Sequence, residues 1–205
     1  PQVAELLARM PPRQKVATVM AAGGDGSFGA ALVSAEDWAG GPAALKRLAA
    51  ASPKAPAAPL VVGTQEGGQY RTYADLPTLA TQLQIGDTGS LKIAREQTAK
   101  QARAMSAAGF DLYLGPVADV ATIDSPIADR AYGDDPELVS AMVAAALEGC
   151  REGGVACAVS HFPGLGAASD DTAVNPATVS LDSASLAARD LAPFRSAFEA
   201  GAPAV

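Results

Sequence analysis

The stretch SHFPGLGAASDDTA, residues 160–173, is the part of the sequence whose residue types are best suited to chemistry. It carries His161, the only histidine of the chain, and ends close to the adjacent acids Asp170 and Asp171. A histidine and a carboxylate on one loop can pass protons to and from a substrate. A histidine that follows an apolar segment is explained equally well as a hydrogen-bonded structural residue. The sequence has no second histidine and no serine-nucleophile motif from which to build a catalytic relay.

Two further loops place charged side chains beside glycines or a helix start. Glu66 lies in TQEGG, where the glycine pair would let a ligand approach the backbone closely. Arg130 lies in SPIADRAYGDDPELV, just before a helix start. Each has a plainer interpretation: a tight turn with solvated polar residues for Glu66, and an ion pair with Asp129 or Asp119 for Arg130.

Short apolar segments alternating with helical patterns must position these loops. Near-continuous apolarity, typical of a parallel sheet covered on both faces, predicts strands at 15–22, 59–62, 110–120 and 155–162, with a weaker candidate at 29–35. Apolar residues at helical spacing predict helices at 90–107, at 136–153 and at 184–200. The second helix has Asp135 as its N-cap and Pro136 at its first position, and the third has an irregularity expected at Pro193.

The alternation of strands and helices predicts an α/β fold, and polar loops at strand ends are typical of a (β/α)8 TIM barrel. A complete barrel takes about 250 residues, whereas this chain has about five to six βα units, the last beginning at GAPAV. We therefore expect one apparently incomplete barrel domain over residues 1–205. Its open edge is expected to favour self-association.

Composition excludes several classes of function. The net charge of −7 argues against nucleic acid as a partner, and no apolar run is long enough to span a membrane. The glycines of GGDGSFGAA follow a dinucleotide-binding spacing, but Asp25 would oppose a phosphate, so a glycine-rich turn is the better interpretation. Cys150 and Cys157 fit either a disulfide or two buried thiols. One histidine and two cysteines make a poor ligand set, so we expect neither metal nor cofactor.

Five ordered motifs together resemble a known family: TQEGGQ, LYLGPVADV, SPIADRAYGDDPELV, SHFPGLG and DLAPFRSAFEAGAPAV. They are similar to the N-terminal barrel domain of family 3 glycoside hydrolases, in the β-N-acetylglucosaminidase branch, over nearly the whole chain. The resemblance implies a retaining hydrolase with a carboxylate nucleophile on one side of the sugar and a proton donor on the other. It also implies a location in the cell envelope or outside the cell, although the sequence shows no signal.

In that branch the donor is the last histidine of the pattern K-H-F-P-G-H-G-D-x-x-x-D-S-H. The aspartate of D-Q-E-G-G, the arginine of D-R and the Lys-His pair hold the sugar. By this resemblance the substrate-binding positions are Arg130, His161, Asp119, Glu66, Thr64 and Ser160. Several polar residues of the pattern are replaced: its first aspartate by Thr64, the lysine by Ser160, the second histidine by Leu165, the aspartate two residues later by Ala167, and the donor histidine by Ala173. Asp171 is the retained loop acid, and no catalytic set is intact, since the resemblance places the nucleophile after Val205.

The sequence is compatible with three functions. The leading hypothesis is a degenerate domain that is inactive alone and binds an amino-sugar or peptidoglycan-type carbohydrate. The first alternative is an active β-N-acetylhexosaminidase-type glycosidase completed by residues outside this chain, with Asp170 or Asp171 as the acid. The second alternative is a structural or interaction module.

Overall fold

The computed structural model describes residues 5, 8, 21–22, 29–50, 59–77 and 79–205. Most of the strand predicted at 15–22, the glycine-rich turn at 23–28 and the Ala/Pro tract at 51–58 lie outside the described residues. The chain divides into two compact units, one formed by Pro1–Gly63 with Ala107–Leu112 and the other by Thr64–Ser106 with Tyr113–Val205.

The first unit is built on parallel strands in chain order. They are β1 (Ala21–Ala22), β2 (Ala30–Leu32) and β3 (Leu60–Thr64, whose last residue is assigned to the second unit). A 3-10 helix (Asp37–Gly40) and helix α1 (Pro42–Ala50) follow β2. The carboxylate of Asp37 accepts hydrogen bonds from the amide and hydroxyl of Ser34, which lower the pKa of Asp37 and fix the turn into the 3-10 helix. Trp38 packs against Phe110, with the ring centroids 5.7 Å apart.

The remaining elements follow in chain order: α2 (Gln82–Asp87), α3 (Leu91–Ala108), β4 (Leu112–Val117), a 3-10 turn (Ala128–Arg130), α4 (Pro136–Gly153), β5 (Ala156–Ser160), α5 (Ser183–Ala188) and α6 (Leu191–Glu199). Strand β5 lies beside β4. On the other side of β5, Ala158 pairs in parallel with Ala204, and the amide of Val159 donates to the carbonyl of Ala204 at 3.1 Å. Where GAPAV was predicted to begin another strand, the structure has a single parallel bridge at Ala204.

Helix α4 forms as its sequence signals predict. The carboxylate of Asp135 accepts a hydrogen bond from the amide of Glu137, and Pro136 occupies the first turn. Gly154 ends the helix with a φ of 79°, a left-handed conformation that glycine adopts without steric cost. The helix buries Val139 and Met142 and packs against α6 and β5. Of the helices in the described part of the chain, none combines the length and apolarity that crossing a membrane requires.

The helix predicted at 184–200 is two helices, α5 and α6, separated at Arg189–Asp190. The expected irregularity at Pro193 is wrong. This proline lies in the first turn of α6, where its missing N–H would have no helical partner in any case. The chain instead breaks where the carboxylate of Asp190 is completely buried and held by the guanidinium of Arg189.

Helix α2 was not among the predicted elements, although its capping residues are readable in the sequence. The hydroxyl of Thr81 accepts from the amide of Gln84, and the side chain of Gln84 accepts from the amide of Thr81. This is a capping box, whose T-x-x-Q spacing stands in TQLQ.

The two cysteines form a disulfide. Cys150, in the last turn of α4, is bonded to Cys157 in β5, with their Cα atoms 6.2 Å apart. Both residues are buried. The bond ties the end of α4 to the strand that leads to His161, and it decides between the two alternatives that the sequence left open.

Candidate functional site

The candidate site is built from loops that follow strands. Glu66 comes two residues after β3, Asp119 two residues after β4, and His161 directly after β5. All the side chains described below lie within the second compact unit.

The loop carrying Glu66 is folded around a buried glutamine. The side-chain oxygen of Gln65 accepts from the amides of Thr72 and Tyr73 at 2.8 and 2.9 Å, and its amide nitrogen donates to the carbonyl of Tyr73. Gly67 follows with a φ of 102°, and a Cβ there would meet the carbonyl oxygen of Ala80 at 2.4 Å. From sequence, Gly67 was interpreted as a place where a ligand could approach the backbone closely. The structure shows that the packing of this loop requires a glycine there.

Arg130 is the centre of the site. Its Nε and Nη2 atoms donate to the two carboxylate oxygens of Glu66 at 2.6 and 2.8 Å, a bidentate pair. Its Nη1 atom donates to Asp171 at 2.9 Å. The side chains of Arg130 and Glu66 are only 12% and 10% exposed, so solvent screens this pair weakly. The short 3-10 turn, anchored by the fully buried Ile127, holds the arginine in place.

His161 bridges Arg130 and a buried aspartate. Its Nδ1 atom lies 2.7 Å from Oδ2 of Asp119, and its Nε2 atom lies 2.9 Å from Nη2 of Arg130. Because a guanidinium can only donate, Nε2 must accept, and Nδ1 therefore carries the proton and donates it to Asp119. His161 is neutral in this arrangement. The side chain of Asp119 is completely buried, and its other oxygen accepts from the amide of Leu165 at 2.5 Å.

The retained loop acid closes the network. One oxygen of Asp171 accepts from Arg130, and the other accepts from the amide of Ala173 at 2.9 Å. The methyl side chain of Ala173 offers no group that can transfer a proton, so position 173 contributes only its backbone to the site.

The turn that carries His161 rests on a second ion pair. Gly164 has a φ of 130°, and a Cβ there would meet the Cβ of Asp190 at 2.6 Å. Arg189 binds both oxygens of Asp190 and donates to the carbonyl of Val120 at 2.5 Å. Burial raises the pKa of Asp190; the nearby charge of Asp119 adds to the rise, and Arg189 opposes it.

Leu165, which the family resemblance aligns with a histidine, has an apolar environment. It is buried in a small apolar cluster with Ala121, Ile127, Ala131 and Ala168. Its side chain therefore contributes hydrophobic packing to the loop.

Two tyrosines lie near the site, Tyr70 beside Arg130 and Tyr113 within electrostatic range of Glu66. The ring of Tyr70, at the surface, lies 5.7 Å from the guanidinium carbon, within the range of a cation–π contact. Tyr113 is completely enclosed, and burial raises its pKa, with Tyr132 and Glu66 adding to the rise. Tyr113 is therefore a neutral phenol at any physiological pH.

The structure brings together five of the residues proposed from sequence: Glu66, Asp119, Arg130, His161 and Asp171. Thr64 and Ser160 are the last residues of β3 and β5, and both are half-buried and outside the contacts given above.

The alternative that Arg130 simply pairs with Asp129 or Asp119 is wrong. Asp129 accepts from the side chain of Gln69 instead, and Asp119 is hydrogen-bonded to His161, so that its charge acts on Arg130 without a direct ion pair. Sequence reasoning missed Tyr70 and the Arg189–Asp190 pair. The signal available for the latter was the Arg-Asp dipeptide that directly precedes LAPF.

A metal centre is not found among the described residues, which contain no group of three or more histidine, cysteine, aspartate or glutamate side chains placed to hold an ion. The carboxylates of the site face an arginine and backbone amides instead.

Comparison with known proteins shows the family to which the chain belongs. The family profile described as "Glycosyl hydrolase family 3 N terminal domain" matches residues 2–205. A curated β-hexosaminidase of Xanthomonas oryzae pv. oryzae is 34% identical over 158 residues, covering 74% of this chain and 47% of the relative. The chain spans about half the length of the curated relatives it matches.

Solved structures agree in fold. LpqI of M tuberculosis superposes with a TM-score of 0.85 at 26% identity, covering 98% of this chain and 62% of that one. NagZ of Neisseria gonorrhoeae, solved in complex with N-trifluoroacetyl-D-glucosamine, has a TM-score of 0.78 at 25% identity, covering 96% and 59%. The α/β fold of TIM-barrel type predicted from sequence is confirmed.

Proposed function

Because the chain belongs to the family of glycosyl hydrolase family 3 N-terminal domains, we propose that it is a carbohydrate-binding domain for amino sugars that has no hydrolase activity of its own. The curated relatives carry the name β-hexosaminidase, and a solved relative holds an N-acylated glucosamine. These names supply the class of ligand.

The observation that carries the binding proposal is the Arg130 network. Glu66, His161 and Asp119 hold the guanidinium in one orientation, and His161 remains 33% exposed at the surface of the network. A site whose polar groups are held rigidly before a ligand arrives loses less conformational entropy on binding. Such a site suits the hydroxyl groups of a sugar.

The proposal that the chain has no hydrolase activity of its own rests on the residue at position 173 and on the hydrogen bonds of Asp171. Hydrolysis of a glycosidic bond needs a group that protonates the leaving oxygen. Ala173 cannot supply it. Both oxygens of Asp171 are already engaged, one by the guanidinium of Arg130 and the other by the amide of Ala173.

Calorimetric titration of the 205-residue chain with chito-oligosaccharides tests the binding proposal. We expect saturable binding that weakens at least tenfold in Arg130→Lys, because an ammonium cannot reproduce the bidentate contact with Glu66. Arg95→Lys is the matched control, since Arg95 forms only loose pairs on the surface, at 3.6 and 3.8 Å. An absence of any response to amino-sugar oligosaccharides contradicts the proposal.

The activity proposal is tested with an aryl N-acetylglucosaminide. We expect no turnover by the 205-residue chain and none by Ala173→His, because the family resemblance places the nucleophile outside these residues. Substantial turnover by either protein would show that the catalytic groups are misplaced.

The family name of the relatives favours one alternative, an active hydrolase completed by residues outside this chain. Under that alternative Asp171 or Asp170 is the acid. Turnover by a longer natural form of the protein, abolished by Asp171→Ala and retained in the surface variant Asp87→Ala, would establish it.

A further inference from the structure

Arg189 and Asp190 lie beneath the turn that carries His161, and their contacts reach both loops from which the imidazole is held. The Nη1 atom of Arg189 donates to both oxygens of Asp190, and its Nη2 atom donates to the carbonyl of Val120. Val120 directly follows Asp119 in the loop after β4. A single guanidinium therefore links this loop to the carboxylate beneath the turn after β5.

The turn after β5 packs directly on both partners of Arg189. A Cβ at Gly164 would meet the Cβ of Asp190 at 2.6 Å, and a Cβ at Gly166 would meet the carbonyl oxygen of Val120 at 2.0 Å. No side chain fits between the turn and either group. Because closely packed atoms cannot shift independently, a movement of either partner also moves the turn.

The same turn carries the hydrogen bonds that orient His161. The amide of Gly164 donates to the carbonyl of His161 at 2.7 Å, and the amide of Leu165 donates to Oδ1 of Asp119. The other oxygen of Asp119 accepts from Nδ1 of His161, so that Nε2 is the acceptor that faces Arg130. These contacts close a ring of residues that begins and ends in the loop after β4.

Charge repulsion makes this ring depend on the guanidinium. The carboxylates of Asp119 and Asp190 are both completely buried, and the charge of Asp119 acts unfavourably on that of Asp190. Arg189 opposes this repulsion. If the guanidinium were removed, two like charges in a poorly screened interior would favour separation of the loop and the turn.

We infer that Arg189 and Asp190 are positioning residues for His161. Together they hold the loop after β4 and the turn after β5 at the spacing that keeps the imidazole protonated on Nδ1, with Nε2 turned towards Arg130. Both residues act through His161. The consequence for sugar affinity rests on the proposed function, whereas the orientation of the imidazole is measurable without a ligand.

NMR of the imidazole nitrogens measures this orientation, because His161 is the only histidine of the chain. The chemical shifts of the two ring nitrogens differ strongly according to which of them carries the proton, so the spectrum reports the tautomer of the folded protein. We expect the wild type to show the Nδ1–H form alone at about pH 8, above the ordinary titration range of histidine.

Two variants break the link between the loop and the turn. Arg189→Met/Asp190→Asn removes every guanidinium donor together with both charges, so no buried charge is left unpaired. Arg189→Lys keeps a cation beside Asp190, but one ammonium replaces the two nitrogens that serve Asp190 and Val120. We expect the Nε2–H form to rise to at least about 10% of the population in both variants, and further in the double variant.

Arg195→Lys is the matched control. The guanidinium of Arg195 also donates to a backbone carbonyl, that of Ala187, but at an exposed position. We expect this variant to show the Nδ1–H form alone, as the wild type does.

A purely structural role for the pair would lower the free energy of unfolding of the two variants and leave the tautomer of the folded protein unchanged. A single Nδ1–H form in both variants, or in Arg189→Lys if the double variant does not fold, therefore overturns the positioning role. A second tautomer in the double variant alone supports the role of the pair and shows that lysine can replace the arginine.

Calorimetric titration with chito-oligosaccharides measures the consequence for binding. We expect the affinity of the two variants to be at least about threefold weaker than that of the wild type. An altered tautomer with unchanged affinity supports the positioning role and overturns its consequence for binding. An absence of saccharide binding by the wild type overturns the proposed function, while the NMR result still decides the positioning role.

Discussion

Arg130 carries the largest share of the charge interactions in this site. The hydrogen bonds that it donates to Glu66 raise its pKa, and the charges of Glu66, Asp171 and Asp119 raise the pKa further against the opposing effect of burial. A guanidinium held this way stays charged at every pH at which the protein is studied. Its removal would leave the carboxylate of Glu66 poorly solvated and without its partner.

We therefore expect Arg130→Ala to lower the free energy of unfolding by about 3 kcal/mol. Arg95→Ala is the control. Its side chain is 42% exposed and its ion pairs are long, so a loss under about 0.5 kcal/mol is expected. Urea unfolding of the three proteins measures both values. Similar losses in the two variants would mean that the Arg130 network contributes nothing beyond a surface ion pair.

Asp190 predicts a dependence of stability on pH. Burial raises its pKa above the ordinary value of 3.8, so the folded state binds the proton more tightly than the unfolded state does. The contribution of this group is fully present below pH 3.8 and is lost as pH rises through the raised pKa. Relative to Asp190→Asn, the wild type should therefore lose stability as pH rises from the acid range.

Asp182 serves as a control, because its contribution to stability is expected to change with pH in the opposite direction. Hydrogen bonds from Ser185, at the start of α5, lower the pKa of Asp182. Its contribution is present above the ordinary value and is lost as pH falls through the lowered pKa. Denaturant unfolding of both asparagine variants across this pH range should give difference curves with opposite slopes. Parallel curves would contradict the direction assigned to Asp190.

At the scale of elements, the disulfide links α4 to β5. Cys150 and Cys157 are seven residues apart, so the bond closes a short loop. The chain-entropy model gives about 2.5 kcal/mol for a loop of this length. We expect the double variant Cys150→Ala/Cys157→Ala to lose about this much stability, seen as a lower Tm in calorimetry. An unchanged Tm would mean that the bond does not restrict the unfolded chain.

The turn after β5 is constrained by packing. Gly164→Ala would bring a Cβ to 2.6 Å from the Cβ of Asp190, at a φ of 130°. Gly89→Ala is a matched control, because Gly89 also has a positive φ, of 61°, but nothing lies within 4 Å of its Cβ position. We expect a loss of about 1 kcal/mol for Gly89→Ala from backbone strain alone, and at least about 2 kcal/mol for Gly164→Ala from strain and overlap together.

Thermal unfolding compares the two glycine variants. Equal losses would show that Asp190 moves aside without cost. The turn would then owe its shape to the backbone and not to the ion pair beneath it.

At the scale of the whole molecule, the chain covers about half of its curated relatives. Self-association through an open sheet edge stays a prediction from sequence. Light scattering over a range of concentrations tests it: we expect a mass above that of the 20.5 kDa chain. A stable monomer at every concentration would argue against association through this edge.

The sequence by itself determined the strands and the helix that position the site, but not α2 or the division between α5 and α6. Apolar segments predicted β3, β4 and β5 to within a few residues, and the cap residues Asp135 and Gly154 predicted both ends of α4. These features depend on local chemistry: the burial of a strand on both faces, and hydrogen bonds within one helical turn. The order of the motifs also indicated the family, because five motifs in the same order and at suitable spacings are a far stronger signal than any single motif.

Only the tertiary structure determined which charged side chains pair with one another. Arg130 binds Glu66, 64 residues away, in place of its neighbour Asp129. The break between α5 and α6 falls at a buried ion pair and not at Pro193. The fold brings together loops that follow different strands. This arrangement determines which carboxylate pairs with an arginine and which charged group is buried. Local sequence cannot specify that convergence, because several neighbouring acids offer the same charge at the same short reach.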